Sequence, residues 1–255
     1  MITYSPEMAV AIQAARTAGA FLRDHFDDDK KVDEESQNDV KIELDKRSRH
    51  LIESILLGAF PDHAVLGEEG TAGNADSECE WIVDPIDGTV NYYYGIPWYC
   101  VSIALRKRGE LVLGVIYDPS TDECWHAEKG GLAYKNARPI SCSSRDKMAE
   151  AIVFVGHGKT DGSKEKGIER FAKIAWQVRK VRNNGSAALA MAYIACGRFD
   201  SYVESVISIW DIAAGKVIVE AAGGKVILEP KAESANQFAI IAWNGRIPII
   251  EALGE

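Results

Sequence analysis

The chain has 255 residues, 47% of them hydrophobic, and a formal net charge of −9. That is enough apolar material for a large core in one or two domains, and no fixed-period repeat, low-complexity tract or Pro- or Ser-rich linker interrupts it. The negative balance and the lack of a basic stripe with interleaved aromatics argue against a nucleic-acid partner; acidity suits a site that gathers divalent cations, although a solvated surface is its commoner meaning.

Five cysteines, Cys79, Cys100, Cys124, Cys142 and Cys196, are odd in number and form no CxxC, so they read as reduced thiols and not as a disulfide frame or a zinc site. The opening MITYSPEMAVAIQAARTAG lacks the basic and long apolar regions of a signal peptide, and no apolar run reaches the roughly 20 residues that span a bilayer. The expectation is a soluble, cytoplasmic protein with no membrane partner.

Met8, Ile12, Ala15, Ala18 and Leu22 recur at helical spacing behind Pro6 and predict a first amphipathic helix. The polar stretch DHFDDDKKVDEESQND reads as a mobile loop. DVKIELD, Asp39 to Asp45, reads as extended, so that Lys41, Glu43 and Asp45 alternate onto one face; Lys41 there either attracts phosphate or pairs with Glu43 in solvent. Leu51, Ile52, Ile55 and Leu56 mark a second helix ending before Pro61. AVLGEEG is a strand running into an acidic turn, EWIVD is another strand, and WYCVSIALRKRGELVLGVIYDP is two strands joined at Arg108-Gly109-Glu110. ECWHAEKGGLAYKNARPI continues as a hairpin or meander.

After about Arg145 strands and helices alternate: AIVFVG, EKGIERFAKIAWQV, the small-residue helix GSAALAMAYIACG, FDSYVE, IWDIAAGKVIVEAAGG, then GKVILEP and QFAIIAWN. The expected organisation is an N-terminal α+β lobe over residues 1–145 and a C-terminal α/β lobe over 146–255, with a ligand cleft between them.

The chemistry concentrates in WIVDPIDGTVN. Asp84 stands at a strand end, Pro85 cannot continue a ladder, and Asp87 turns back toward Asp84. Two carboxylates held so close repel unless a cation joins them, and hard oxygen ligands of this kind suit Mg²⁺, Mn²⁺ or Ca²⁺. Gly88 allows close backbone approach, and a helix starting at Thr89 would offer N–H groups to a phosphate. D-P-x-D-G is also an ordinary turn pattern, Glu68 and Glu69 can be surface charge, and Asp211 in WDIAAG can be a helix N-cap. The five histidines are scattered, and neither they nor the cysteines have a nucleophile's setting.

Taken together, GEEG, WIVDPIDGTVNYYYGIPWYCVSIAL and GSAALAMAYIACGRFDSYVESVISIWDIAAGKVIVEAAGG resemble, in order and separation, the three signature blocks of the inositol monophosphatase family of magnesium-dependent, lithium-sensitive phosphatases. The resemblance implies a layered αβαβα sandwich. It implies that Glu68, Asp84 and the Ile86 carbonyl bind one Mg²⁺, that Asp84, Asp87 and Asp211 bind a second, and that Glu68 helps hold a third, hydrated ion, with Mn²⁺ as a substitute. Thr89 with Asp45 behind it would orient and deprotonate the attacking water. Gly88 and Thr89 N–H groups would hold the phosphate near Asp87, and Ser186, Ala187 and Glu204 would line the pocket for the rest of the substrate.

Phosphate monoesters hydrolyse extremely slowly in water, and proteins accelerate them by positioning and charge neutralisation. Relatives often read D-x-V-T-x-x-D where this chain has DVKIELD, with Ile42 in the threonine slot, and many have a histidine at Tyr94. Both departures count against myo-inositol phosphate itself; the expected substrate is a small polyol or sugar-like phosphate, and the VSIAL strand and Glu204 lean toward the inositol-1-phosphate type. Histidinol phosphate, fructose 1,6-bisphosphate and 3′-phosphoadenosine phosphates are the alternatives, and a non-catalytic regulatory scaffold is the alternative class. FDSYVE, read as ending at Glu204, puts a carboxylate on the cleft wall that suits hydroxyls and repels a second phosphate. A homodimer is expected from relatives, with Tyr92-Tyr93-Tyr94 and Trp98 at an interface or in the core.

Overall fold

The computed structural model describes residues 4–36, 39–158, 160–232 and 234–254, without the side chains of 34–36, 39, 41 and 161. Helix α1 (Pro6–Asp24) starts where Ser5 accepts the Met8 N–H at 3.1 Å, and it buries the stripe Met8, Ala11, Ala15, Ala18 and Leu22. The polar stretch that follows is not all loop. Val32–Ser36 (β1) and Asp39–Ile42 (β2) pair antiparallel, and Val40 and Ile42, two residues apart, are both buried.

The chain turns helical at Glu43, and α2 runs Glu43–Ala59. The Asp45 carboxylate accepts the Ile42 N–H at 3.2 Å, which closes the helix's first turn. Glu43 and Asp45 are therefore helical, and strand alternation does not bring them onto one face with Lys41, whose side chain lies outside the described residues.

Strands β3 (Ala64–Gly67) and β4 (Gly70–Gly73) form a hairpin around Glu68-Glu69. Strand β5 (Cys79–Asp87) leads into the short helix α3 (Thr89–Tyr93). Then come β6 (Cys100–Lys107), β7 (Glu110–Asp118), β8 (Glu123–Glu128), β9 (Ala133–Lys135) and β10 (Arg138–Pro139). Among the described residues they make an eight-stranded sheet in the order β10-β9-β8-β7-β6-β5-β3-β4, antiparallel except where β3 meets β5.

Beyond it lie β11 (Ile152–Val155), α4 (Asp161–Ala175), β12 (Lys180–Arg182), α5 (Ala187–Ala195), β13 (Ser201–Ser208), α6 (Ile209–Ala221), β14 (Lys225–Lys231), β15 (Ser234–Trp243) and α7 (Ile249–Leu253). The second sheet has the order β12-β11-β13-β15-β14, parallel at β12-β11-β13 and antiparallel beyond.

Among the described residues, three cores stack these parts into an αβαβα sandwich. One lies between α1, α2 and the first sheet. The middle one encloses α5 and α6 between the two sheets. The third lies between the second sheet and α4 and α7. Helices α5 and α6 are apolar nearly all round because both faces are covered. Their small residues allow close approach: a Cβ on Gly114 of β7 would stand 2.4 Å from the Ala214 carbonyl of α6. The aromatic run divides accordingly. Tyr92 is fully buried with its hydroxyl on the Leu22 carbonyl at 2.7 Å, Trp98 packs on Tyr193, and Tyr94 is 66% exposed.

Because that Cβ meets backbone, Gly114→Ala should lower stability by about 1–3 kcal/mol, the usual cost of overpacking. Urea denaturation measures it, and an unchanged midpoint would mean that α6 does not press on β7.

Candidate active site

Asp84 and Asp87 are three residues apart, so in a regular strand they would point to opposite faces. They do not, because β5 continues past Pro85 with a bulge. Asp84 pairs with Ser102 and Asp87 with Cys100, two residues apart on β6, so both aspartates face the middle layer. This corrects the expectation that the ladder stops at Pro85: the proline is accommodated in the bulge, where no ladder hydrogen bond is asked of it. Within the bulge the Ile86 N–H donates to Asp84 Oδ1 at 3.0 Å.

The third carboxylate comes from the other half of the chain. Asp211 is not the N-cap of α6; Ser208 is, and Asp211, three residues on, accepts the Ser208 N–H at 3.1 Å. Ser102 donates to the Trp210 carbonyl at 3.3 Å, which ties the first turn of α6 to the strand opposite Asp84. One carboxylate oxygen from each of Asp84, Asp87 and Asp211 lies within 4.8 Å of the others.

Asp87 is buried and held by the start of α5. It accepts the Ser186 Oγ at 2.5 Å, the Ala188 N–H at 2.7 Å, the Ala187 N–H at 3.3 Å and, weakly, the Cys100 thiol at 3.7 Å. Ser186 and Ala187, expected against the substrate, thus direct their Oγ and N–H at this carboxylate.

Beside the cluster, Gly88 takes φ 98°, a left-handed conformation suited to glycine, and a Cβ there would stand 2.9 Å from the Trp98 carbonyl. Thr89 Oγ1 donates to the Ile86 carbonyl at 2.9 Å and approaches Asp45 Oδ1 at 3.4 Å. Glu68 is exposed on the β3–β4 turn, outside the tight trio, yet both it and Glu69 are near enough to raise the Asp45 carboxyl.

Glu204 is not the end of a strand. Strand β13 runs on to Ser208, with a register shift between Glu204 and Ile207. The Glu204 side chain is buried, accepts the Tyr202 hydroxyl at 2.5 Å and fills the space over Gly156. Ser48, Arg49, Cys100 and Tyr202 also border the site; Ser48 and Arg49 lie outside the signature blocks, and Cys100 and Tyr202 lie within them without being among the expected site residues. Period two along β6 and β13 signals Cys100 and Tyr202, and helical spacing from Asp45 signals Ser48 and Arg49.

The electrostatics are those of crowded carboxylates. Desolvation, then the charges of Asp211 and Asp87, push Asp84 well above the ordinary aspartate range, and Asp84 and Asp211 share a hydrogen bond. Burial raises Asp87 against the opposing pull of its Ser186, Ala188 and Ala187 donors. Burial and the neighbouring Glu69 and Glu68 raise Asp45 to about 7. Hard carboxylate oxygens that repel one another in a partly desolvated cleft are the donor set a divalent ion satisfies.

The sequence model of the inositol monophosphatase family matches residues 3–245. The chain belongs to that family. It is 38% identical over 221 residues to the inositol-1-monophosphatase of Mesorhizobium japonicum, covering 85% of this chain and 83% of that one. It is 37% identical over 224 residues to the Nus factor SuhB of Xylella fastidiosa, covering 87% and 81%. Its fold superposes on the extragenic suppressor protein suhB of Bartonella henselae with a TM-score of 0.90 and 33% identity over 98% of this chain and 99% of that one. The protein is thus a phosphoric monoester hydrolase of the inositol monophosphatase family, and the family's use of divalent metal agrees with the acidic cluster.

A carboxyl whose folded pKa is raised contributes stability below its unfolded pKa and loses it as pH rises through the folded one. For Asp45, raised from 3.8 to about 7, the loss runs from about pH 4 up to about pH 7 and levels off above it. Without metal, lowering pH from 8 to 6 should gain about 1 kcal/mol from this group. Asp45→Asn should flatten that gain relative to wild type. Chemical denaturation in EDTA across this range measures it, and parallel profiles for the two proteins would remove Asp45 as the group responsible.

Proposed function

We propose that this inositol monophosphatase family member is a Mg²⁺-dependent phosphomonoesterase for a small polyol or sugar-like phosphate of the inositol-1-phosphate type. The observation that most supports it is the convergence of Asp84, Asp87 and Asp211 from two halves of the chain to within 4.8 Å. Asp84, Asp87 and Asp211 would hold one ion. Glu68, Asp84 and the Ile86 carbonyl would hold a second, and Glu68 would contribute to a third. A bound divalent ion supplies charge neutralisation, activation of water and stabilisation of the leaving oxygen.

The protein's own part is positioning and proton handling. Thr89 Oγ1 stands between the Ile86 carbonyl and Asp45. When its proton turns to Asp45, its lone pair faces the cleft and accepts the proton of the attacking water. Asp45, held near 7, is matched to receive a proton at neutral pH. The Gly88 and Thr89 N–H groups serve as phosphate donors. Ser186 and Ala187 hold Asp87 in place and border the substrate space. Glu204 accepts hydroxyl hydrogen bonds and disfavours a second phosphate. The assembly is a homodimer, for which light scattering after size exclusion is the check.

Release of inorganic phosphate from a panel of monoesters, with Mg²⁺, Mn²⁺ or EDTA, tests the reading as a whole; activity unaffected by EDTA would defeat it. Asp84→Asn should cut kcat to below about a tenth at saturating Mg²⁺ while the metal-free protein melts no lower than wild type, since it loses a repulsive charge. Li⁺ should inhibit where Na⁺ and K⁺ do not.

A charge-assisted hydrogen bond contributes about 1.5–3 kcal/mol. Glu204→Gln should therefore cost about tenfold or more in kcat/KM on the hydroxyl-bearing substrate and little on p-nitrophenyl phosphate. Equal losses on both would assign Glu204 to the fold.

A further inference from the structure

Arg49 lies one helical turn beyond Asp45 on α2 and one before Glu53, and only 8% of it is exposed. A guanidinium that deep needs all its faces matched. Its Nε donates to Glu53 Oε1 at 2.7 Å, one Nη to Glu69 Oε2 at 3.0 Å and the other to the Gly70 carbonyl at 2.8 Å. The first Nη also lies 3.3 Å from where a Cβ on Gly67 would stand, so only glycine fits there without movement. Gly67, Glu69 and Gly70 are the residues flanking Glu68 in the β3–β4 hairpin. Ser48, the neighbouring residue on α2, donates to the Pro85 carbonyl in the bulge at 3.3 Å. One helix face thus ties Asp45, the bulge of β5 and the acidic turn together.

We propose that Arg49 is a positioning residue that fixes the Glu68 turn relative to the aspartate trio and so sets divalent-ion affinity at the Glu68 side of the site. The inference rests on Glu68 being a metal ligand. A planar fork that binds three partners on two elements fixes an angle as well as a distance, which a lysine ammonium does not. Removing a partner bonded to a ligand typically weakens metal binding by about 10–100-fold; Arg49 acts one residue removed, through Glu69 and Gly70, which places its effect at the low end of that range.

The test is Mn²⁺ binding to the metal-free protein, followed by electron paramagnetic resonance without substrate, alongside Tm by circular dichroism. Glu68→Gln should weaken one class of Mn²⁺ site. Arg49→Met should weaken the same class by about tenfold, Arg49→Lys by less, and Arg49→Met added to Glu68→Gln should cause no further loss. If Arg49→Met does not fold, Glu69→Gln cuts the same link from the exposed side and should shift the same class. Weakening by Glu68→Gln with no change in Arg49→Met or Glu69→Gln, or additive losses in the double variant, would overturn the proposal and reduce Arg49 to a structural ion pair. A silent Glu68→Gln would overturn the ligand assignment and this inference with it, a pattern distinct from the first.

Discussion

The bulge between Asp84 and Asp87 is the constraint on which the site depends. A regular strand would separate these carboxylates onto opposite faces. The extra residue turns Asp87 to the side of Asp84, toward the middle layer where α6 brings Asp211. Bringing like charges together in a desolvated place is unfavourable: burial and the neighbouring carboxylates raise Asp84, and burial raises Asp87. The rest of the architecture answers that cost. The start of α5 gives Asp87 two backbone N–H donors and a hydroxyl. The first turn of α6 is fixed by Ser102 and by the Ser208–Asp211 cap. What these donors leave uncompensated is the negative charge that a divalent ion, of the kind the family uses, would neutralise.

This explains why small residues stand at the contacts of the middle-layer helices. Asp87 can reach the Ala187 and Ala188 N–H groups only if α5 comes close to the first sheet, and Asp211 can reach Asp84 only if α6 does. Alanine and glycine at the contacts, as at Gly114 against Ala214 and Gly215 against Met191, make that approach sterically possible. The packing of the core and the geometry of the acidic site are therefore one requirement, and side-chain volume far from the carboxylates acts on the chemistry.

Much of this was legible in the sequence and some was not, for identifiable reasons. The long helices and strands announce themselves by period, and the blocks around Asp84 and Asp211 by motif. Spacing alone does not separate a turn from a bulge, because Asp-Pro-Ile-Asp-Gly satisfies both. The β1–β2 pair is hidden because Val32, Val40 and Ile42 are diluted by charged neighbours. The strand β12 and helix α7 are too short to show a period. Glu204 reads as a strand end because polar Ser205 follows it, yet Ser205 is buried with its hydroxyl on the Ser163 carbonyl, and the strand continues. Arg49 shares a helix face with Asp45, but its role is hidden for a different reason. A charged residue in an amphipathic helix, with Glu53 four residues on, reads as a solvent-facing pair until Glu69 and Gly70, distant in sequence, are seen beside it.

The distribution of groups over the fold has a consequence for assembly. The trio needs β5 from the first sheet and α6 from the second half, its anchor needs α5, and the Asp45–Thr89 pair needs α2 against α3. No single supersecondary unit contains a usable subset. Each element instead brings one or two polar groups to the meeting line of three layers and is fixed there by apolar burial on its other face. Local opening of α5 or α6 would thus release a carboxylate from its donors and let it rehydrate. A divalent ion of the kind the family uses, if held by these carboxylates, would prefer the closed arrangement, and that preference would act as folding free energy for the middle layer.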